Sequence, residues 1–122
     1  MSLVLRGGRI IDSGGERILD VEIGEDGLIA AVGTGLTGDV NLDASGCVVS
    51  PGFVDLHAHL REPGLEEAET IQTGARGGSL GGYTALVAMP NTDPTTDCVA
   101  VVEQVRSLGR RSTCEIIPTA AM

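Results

Sequence analysis

The spacing of turn residues along the chain changes at Pro51-Gly52, and this change constrains the fold more than any other feature of the sequence. Before it, glycine-rich turns separate short apolar segments, which is typical of a small antiparallel β domain. After it, apolar segments alternate in the order strand, helix, strand, helix, strand, which is the pattern of parallel α/β folds. We therefore predict a small β domain at residues 1–50 and an α/β domain at residues 51–122.

In the first domain, Asp26-Gly27 is a strong hairpin signal between two apolar segments. Gly33–Gly38 fits the spacing G-x-G-x-x-G, but the residues after it do not read as a helix, so a hairpin-like connection is favoured over a phosphate-binding loop. The predicted strands are Leu3–Leu5, Arg9–Ile11, Arg17–Ile23, Leu28–Val32, Val40–Ala44 and Cys47–Val49.

In the second domain, a strand through Val54–Leu60 precedes a polar loop and a predicted helix at Thr70–Leu80. The glycines of this helix weaken it by about 1 kcal/mol each relative to alanine, or allow it to pack closely on a strand. Asp97 is a suitable N-cap for a second helix that ends near Gly109. Strands are predicted before and after it, at Thr84–Met89 and Glu115–Ile117.

Charge and composition exclude several classes of function. The formal net charge is −9 and the chain contains no lysine, which argues against a surface for nucleic acid or anionic membranes. No apolar run approaches the roughly 20 residues of a membrane span, and the N-terminus does not resemble a signal peptide. The three cysteines are widely spaced and are expected to be reduced thiols. We expect a cytoplasmic protein.

The chain has only two histidines, His57 and His59, and both lie in the strand predicted after Pro51. Side chains at i and i+2 of a strand point to the same face, so both imidazoles should enter one space, with Asp55 on the same side. Two neutral imidazoles on one strand provide half of a metal site. A purely structural histidine pair is the alternative.

The motif around these histidines, Pro51-Gly-Phe-Val-Asp-Leu-His-Ala-His-Leu-Arg-Glu-Pro-Gly64, resembles the signature of the amidohydrolase superfamily, and most closely that of dihydroorotases. Glu69–Arg76, Gly81–Thr84 and Val87–Thr92 continue the resemblance in the same order. Arg-Glu-Pro-Gly and Met-Pro-Asn-Thr favour dihydroorotases over hydantoinases and allantoinases. A glycine-rich segment at Gly77–Leu80 departs from the alanine-rich helix of the relatives.

This resemblance implies a (β/α)₈ TIM barrel with zinc at the carboxyl ends of its strands. His57 and His59 would be zinc ligands, Arg61 would hold the substrate carboxylate, and Asn91 would donate a further hydrogen bond to it. The metal would generate the nucleophile and polarise the carbonyl. The implied reaction is the reversible hydrolysis of the cyclic amide of dihydroorotate to N-carbamoyl-aspartate in pyrimidine synthesis.

Residues 51–122 are far fewer than the roughly 250 that a barrel needs, and a catalytic zinc usually takes three protein ligands. We therefore expect the N-terminal part of an incomplete barrel, with no catalytic residue of its own, weak zinc binding and no turnover by itself. An open strand edge at Glu115–Ile117 predicts self-association. The alternatives are a non-catalytic module that binds a partner or a metal, a related cyclic amidohydrolase, and an unrelated β-plus-α/β domain.

Overall fold

A computed structural model describes all 122 residues, Met1–Met122. It divides into two compact units, Met1–Pro51 and Gly52–Met122. The first unit contains only strands, and the second alternates strands with helices. The strands of the first unit are β1 (Leu3–Asp12), β2 (Gly15–Ile23), β3 (Ile29–Gly33), β4 (Val40–Asp43) and β5 (Val48–Val49).

The sheet of the first unit is mixed, so the prediction of an antiparallel β domain was wrong in part. β1 pairs with β2, and β2 with β3, in antiparallel fashion, but β4 and β5 run parallel to β1. Hydrogen bonds near the chain start explain this direction: Ser2 N donates to Asp39 Oδ2 at 2.8 Å, and Val40 N donates to Ser2 O at 3.1 Å. They hold the beginning of β4 beside the beginning of β1. Turn signals locate strand ends but do not determine which strands pair.

The first two predicted strands form one strand, β1, with an irregularity in its pairing between Leu5 and Gly8. Gly7 has a φ of 66°, and its amide donates to Asp20 Oδ1 at 2.9 Å. The carboxylate thus satisfies a backbone donor that the interrupted ladder leaves free. The connection Gly33–Gly38 leads into β4, not into a helix, and it is not a hairpin because β3 and β4 lie at opposite ends of the strand order β3-β2-β1-β4.

The second unit confirms the predicted alternation of strands and helices. Its three strands pair in parallel in the order β6-β7-β8. The first of them ends at Ala58, so His59 and Leu60 lie just beyond the strand that was predicted to include them. The elements are β6 (Phe53–Ala58), α1 (Ile71–Leu80), β7 (Tyr83–Ala88), α2 (Val99–Gly109) and β8 (Glu115–Pro118).

Local sequence explains where both helices begin. Thr70 caps α1 through a capping box with Thr73, in which each side chain accepts from the other residue's backbone amide. The predicted cap of α2 at Asp97 was wrong: the N-cap is Cys98, and no side chain caps it. Asp97 belongs to the preceding turn, because its amide donates to Thr95 O at 2.9 Å.

Both helices pack against the sheet through one shared apolar cluster. Ile71 of α1 is 0% exposed, and Val105 of α2 is 2% exposed. Glycines allow close packing, because a Cβ at Gly74 would lie 2.7 Å from Leu60 Cδ2 and one at Gly78 would lie 3.3 Å from Leu86 Cδ1. Neither helix is long and apolar enough to cross a membrane. The cluster consists of Leu60, Ile71, Ala75, Leu86, Ala88, Val105, Cys114 and Ile116.

Candidate active site

The candidate site lies where the parallel strands of the second unit end. Carboxyl ends of parallel strands meet at one edge of a sheet, and α/β folds place their chemistry there. His57 is the penultimate residue of β6, His59 directly follows that strand, and Asn91 lies in the loop after β7. Sheet topology therefore brings together residues that are distant in sequence.

The two imidazoles face the same space. Their ring centroids are 5.0 Å apart and their planes cross at 66°, and both side chains are exposed. Two imidazoles that share one tetrahedral zinc ion, each with a Zn–N distance of about 2.0–2.1 Å, have ring centroids roughly 5 Å apart. The centroid separation is thus compatible with a single metal ion. No group of three or more His, Cys, Asp or Glu side chains is arranged to hold a metal.

His59 is held by Asn91. The Nδ1 atom of His59 lies 2.8 Å from Oδ1 of Asn91, across 32 residues of sequence. An amide oxygen can only accept a hydrogen bond, so this contact favours the imidazole tautomer with its proton on Nδ1. From the sequence, Asn91 was expected to donate a hydrogen bond to the substrate carboxylate. Its contact with His59 was not predicted, because that contact depends on the path of the loop after β7.

Asp55 does not join the imidazoles as a metal ligand. Its Oδ1 accepts a hydrogen bond from the backbone amide of His57 at 2.9 Å. The carboxylate therefore fixes the backbone from which one imidazole projects. This role was not predicted, although an Asp side chain that accepts a hydrogen bond from the backbone amide two residues later is a frequent local arrangement.

Arg61 lies in the loop after β6 and has a left-handed backbone conformation, with a φ of 61°, which is uncommon for a residue other than glycine. Its carbonyl accepts from the amide of Leu65 at 3.0 Å, and its exposed guanidinium makes no hydrogen bond or ion pair within the chain. The next residue is anchored, because Glu62 Oε2 accepts from the amide of Ile71 at 2.7 Å. The first turn of α1 thus fixes the base of the loop.

The loop that carries Asn91 is ordered by hydroxyl groups that sequence reasoning did not single out. Thr92 Oγ1 donates to the carbonyl of Pro94 at 2.8 Å and lies 2.9 Å from Oγ1 of Thr96. Thr96 is buried, and its amide donates to Pro90 O at 3.0 Å. The available signal was the occurrence of each threonine two residues after a proline, Thr92 after Pro90 and Thr96 after Pro94, since such hydroxyls commonly close turns.

The two loops contact each other through backbone atoms. The amide of Asp93 donates to Pro63 O at 3.0 Å. A Cβ at Gly64 would lie 2.2 Å from the carbonyl oxygen of Asp93, and Gly64 has a φ of 105°, so only glycine fits there. A further amide, that of Ala121 beyond β8, donates to Thr96 O at 2.8 Å.

The loop after β6 is acidic, and one of its carboxylates is fixed. Glu66 Oε1 accepts from the amide of Gly64 at 2.9 Å, and this hydrogen bond lowers the pKa of Glu66. The carboxylate thus remains charged and stabilises the turn at Gly64. The negative charge of this loop also favours a cation at the nearby edge.

The candidate site does not coincide with the cleft at Arg106 and Arg110. A cleft of about 480 Å³ lies near the opposite end of β8, between Arg106, Arg110 and Thr113, and it contains no histidine. The candidate site is placed at the histidines because imidazole nitrogen is a metal ligand, whereas no imidazole lines the cleft.

Comparison with known proteins identifies relatives of the whole chain. The sequence matches the family described as dihydro-orotase-like over residues 46–122. It is 44% identical over 130 residues to a dihydroorotase of Solibacter usitatus and 41% identical over 128 residues to a dihydroorotase of Pelobacter propionicus. Each alignment covers 100% of this chain, but it covers 29% of the first relative and 30% of the second.

A solved structure shares the fold. The chain resembles L-hydantoinase (dihydropyrimidinase) from Arthrobacter aurescens with a TM-score of 0.82 and 24% sequence identity, over 97% of this chain and 27% of that chain. At this identity the likeness concerns the fold alone. The chain thus spans less than a third of the length of the proteins that it resembles.

Proposed function

Since the chain belongs to the dihydro-orotase-like family, we propose that it supplies the first metal ligands and the first substrate-binding residues of a zinc-dependent dihydroorotase. The proposed reaction is the reversible hydrolysis of dihydroorotate to N-carbamoyl-aspartate. The observation that carries this proposal is the convergence of His57, His59 and Asn91 at the carboxyl edge of three parallel strands.

The donor set suits zinc. Imidazole nitrogen is a preferred ligand of this metal, and the ring separation of 5.0 Å allows both histidines to reach one ion. The hydrogen bond from His59 Nδ1 to Asn91 leaves Nε2 available as the ligand atom. The chemistry that a bound zinc ion supplies is polarisation of the scissile carbonyl and activation of water.

Two residues beside the histidines are proposed to bind the substrate carboxylate. Arg61 presents a guanidinium without an internal partner, and its planar pair of N–H donors matches a carboxylate. The Nδ2 group of Asn91 makes no hydrogen bond within the chain and can donate to the same carboxylate while Oδ1 holds His59. The two residues would orient the ring so that its amide carbonyl faces the histidines.

An incomplete (β/α)₈ barrel is the proposed setting of the site. The three strands follow one another in chain order, and both helices share one core on one face of the sheet. An open doubly wound sheet would instead carry helices on both faces. On β6, Leu56 is 73% exposed, as expected where an incomplete barrel leaves an apolar strand uncovered.

Binding of dihydroorotate distinguishes a dihydroorotase from a hydantoinase, which is the alternative function. A hydantoinase acts on a ring without the carboxylate that Arg61 is proposed to hold, and the curated relatives at 44% and 41% identity are dihydroorotases. In a zinc-containing buffer, we expect the chain to bind dihydroorotate measurably and hydantoin much more weakly. Arg61→Ala should remove this preference, and Arg61→Lys should restore it only in part. Equal binding of both rings by the unsubstituted chain would contradict the assignment.

The metal is tested separately by titration. We expect the 122-residue chain to bind zinc weakly, because two neutral ligands leave most of the coordination to water. His57→Ala and His59→Ala should each weaken binding further, and an unchanged titration would remove that residue from the site. We also expect no ring opening by this chain with zinc and dihydroorotate. Clear turnover would show that two histidines suffice.

Self-association is a further part of the proposal. The strands β6 and β8 each have one neighbour in the sheet, and apolar side chains of β6 and β8 are exposed, among them Phe53 and Ile117. Unpaired strand edges beside apolar surface favour pairing with another chain. Light scattering should therefore give a mass above that of one chain at micromolar concentration, and a single monomeric species would contradict this expectation.

A further inference from the structure

We propose that Asn91 is a positioning residue whose Oδ1 atom fixes the tautomer of His59 and thereby aims the Nε2 lone pair at the metal position. This inference deepens the proposed function, since the metal itself rests on that proposal. The tautomer is a property of the chain alone. It can be measured without metal or substrate.

The chemistry of the contact determines the proton position. A neutral imidazole has one N–H group and one lone pair, and either nitrogen can carry the proton. The Nδ1-protonated form is the minor one for a free histidine in water. At His59 the partner at 2.8 Å is an amide oxygen, which accepts and cannot donate. The contact therefore favours the Nδ1-protonated form and leaves the lone pair on Nε2.

Asn91 is held rigidly enough to act in this way. Its loop is closed by the hydroxyls of Thr92 and Thr96, and the neighbouring Asp93 is hydrogen-bonded to the loop after β6. His59, in contrast, lies beyond the end of its strand, so the sheet does not determine its ring orientation. An outer hydrogen bond that orients a ligand in this manner typically changes metal affinity by about 10- to 100-fold when it is removed.

The other histidine provides an internal reference. No ring nitrogen of His57 makes a hydrogen bond within the chain, although its backbone amide donates to Asp55. Its imidazole is therefore free to adopt the tautomer that water favours. With only two histidines in the sequence, the nitrogen signals of both rings can be resolved in one spectrum.

Substitutions at Asn91 separate its two proposed roles. Asn91→Asp keeps an oxygen that accepts from His59 Nδ1, but it replaces the donor group by a negative charge. It should preserve the tautomer and metal affinity while weakening dihydroorotate binding. Asn91→Ala removes both groups and should impair both properties. Thr95→Ala is the control in the same loop, because the Thr95 side chain is exposed and makes no hydrogen bond.

The experiment is long-range ¹H–¹⁵N correlation NMR of the imidazoles in the metal-free chain, at about pH 8.5 so that free imidazole side chains are neutral. We expect the Nδ1-protonated form at His59 in the unsubstituted chain, in Asn91→Asp and in Thr95→Ala. The Nε2-protonated form should predominate in Asn91→Ala. Titration with Co²⁺ should then show affinity about tenfold weaker for Asn91→Ala, and equal or higher affinity for Asn91→Asp.

Two results would overturn the inference. One is an Nε2-protonated His59 in the unsubstituted chain, which would make the amide of Asn91 the donor. The other is an unchanged tautomer in Asn91→Ala, whatever happens to metal affinity. Failure of the proposed function can be distinguished from failure of this inference, because a chain that binds neither metal nor dihydroorotate can still show the expected tautomers. Binding of both ligands with the wrong tautomer would refute only the role of Asn91.

Discussion

The contact between Leu60 and Gly74 predicts a reversal in the effect of one substitution. Gly74→Ala should destabilise the second unit when Leu60 is present and stabilise it when Leu60 is replaced by alanine. In the first case the new Cβ lies 2.7 Å from Leu60 Cδ2, well inside van der Waals contact. In the second case that methyl group is gone.

The magnitudes follow from burial. Leu60 is 5% exposed, and Leu60→Ala removes three carbon atoms at about 0.8 kcal/mol each, or about 3 kcal/mol with the residual cavity. Gly74→Ala gains about 1 kcal/mol of helix propensity, but overpacking costs about 1–3 kcal/mol, so the expected net effect is a loss of about 1 kcal/mol. Without Leu60, the nearest atoms to the new Cβ are the carboxyl carbon and Oε2 of Glu69 at 3.1 and 3.2 Å, and they belong to the end of a flexible side chain that can move away. Gly74→Ala should then stabilise by about 1 kcal/mol. The coupling between the two sites is then about 2 kcal/mol or more.

Urea titration measures these free energies in the second unit alone. Tyr83 is the only tyrosine and tryptophan is absent, so intrinsic fluorescence reports this unit, and both helices that dominate the circular dichroism also belong to it. Gly77→Ala is the control, because a Cβ there meets nothing within 4 Å. It should stabilise by about 1 kcal/mol in both backgrounds. A coupling near zero between Leu60 and Gly74 would refute the steric argument.

Three further predictions concern loops and charges. Gly64→Ala should destabilise the second unit by about 2–4 kcal/mol in urea titration, because its Cβ would meet the backbone of Asp93 at 2.2 Å; unchanged stability would contradict this close approach. Arg61→Gly should raise stability by up to about 1 kcal/mol by relieving the positive φ, while dihydroorotate binding weakens; a loss of stability would show that no backbone strain is present. The hydrogen bond from Arg17 lowers the pKa of Asp12 to about 2, below the pKa of this residue in the unfolded chain. The ionised Asp12 side chain therefore contributes fully to folding stability above about pH 4, and this contribution is lost as the pH falls toward 2. In Asp12→Asn, the stability of residues 1–51, measured from their NMR signals, should fall less steeply with decreasing pH over that range. An identical acid transition would show that Asp12 does not contribute to it.

Sequence patterns were sufficient where local forces decide the structure. The helix at Thr70–Leu80 could be predicted because Thr70 caps it and apolar residues recur on one face, and the structure begins and ends this helix within one residue of that range. The apolar strand before Met89 could be predicted because burial on both faces removes alternation. In these segments, propensity, capping and burial agree.

Long-range geometry could not be predicted in the same way. The parallel direction of β4 depends on hydrogen bonds between Ser2 and Asp39, which no local pattern encodes. The contact between His59 and Asn91 likewise depends on the path of two loops. The i and i+2 spacing predicted that both imidazoles share a face, and their rings are 5.0 Å apart, but the sequence alone could not identify the acceptor that decides which nitrogen is free.

The backbone hydrogen bonds between the loops have a kinetic consequence. Asp93 links the loop after β7 to Pro63, and Ala121 links the segment after β8 to Thr96, so three successive segments are joined in series. A transient opening that exposes one of these amides to solvent exchange must break the connection to its neighbour. The carboxyl edge would therefore open as one cooperative unit, and an ion captured at the histidines would slow amide exchange as far away as Ala121.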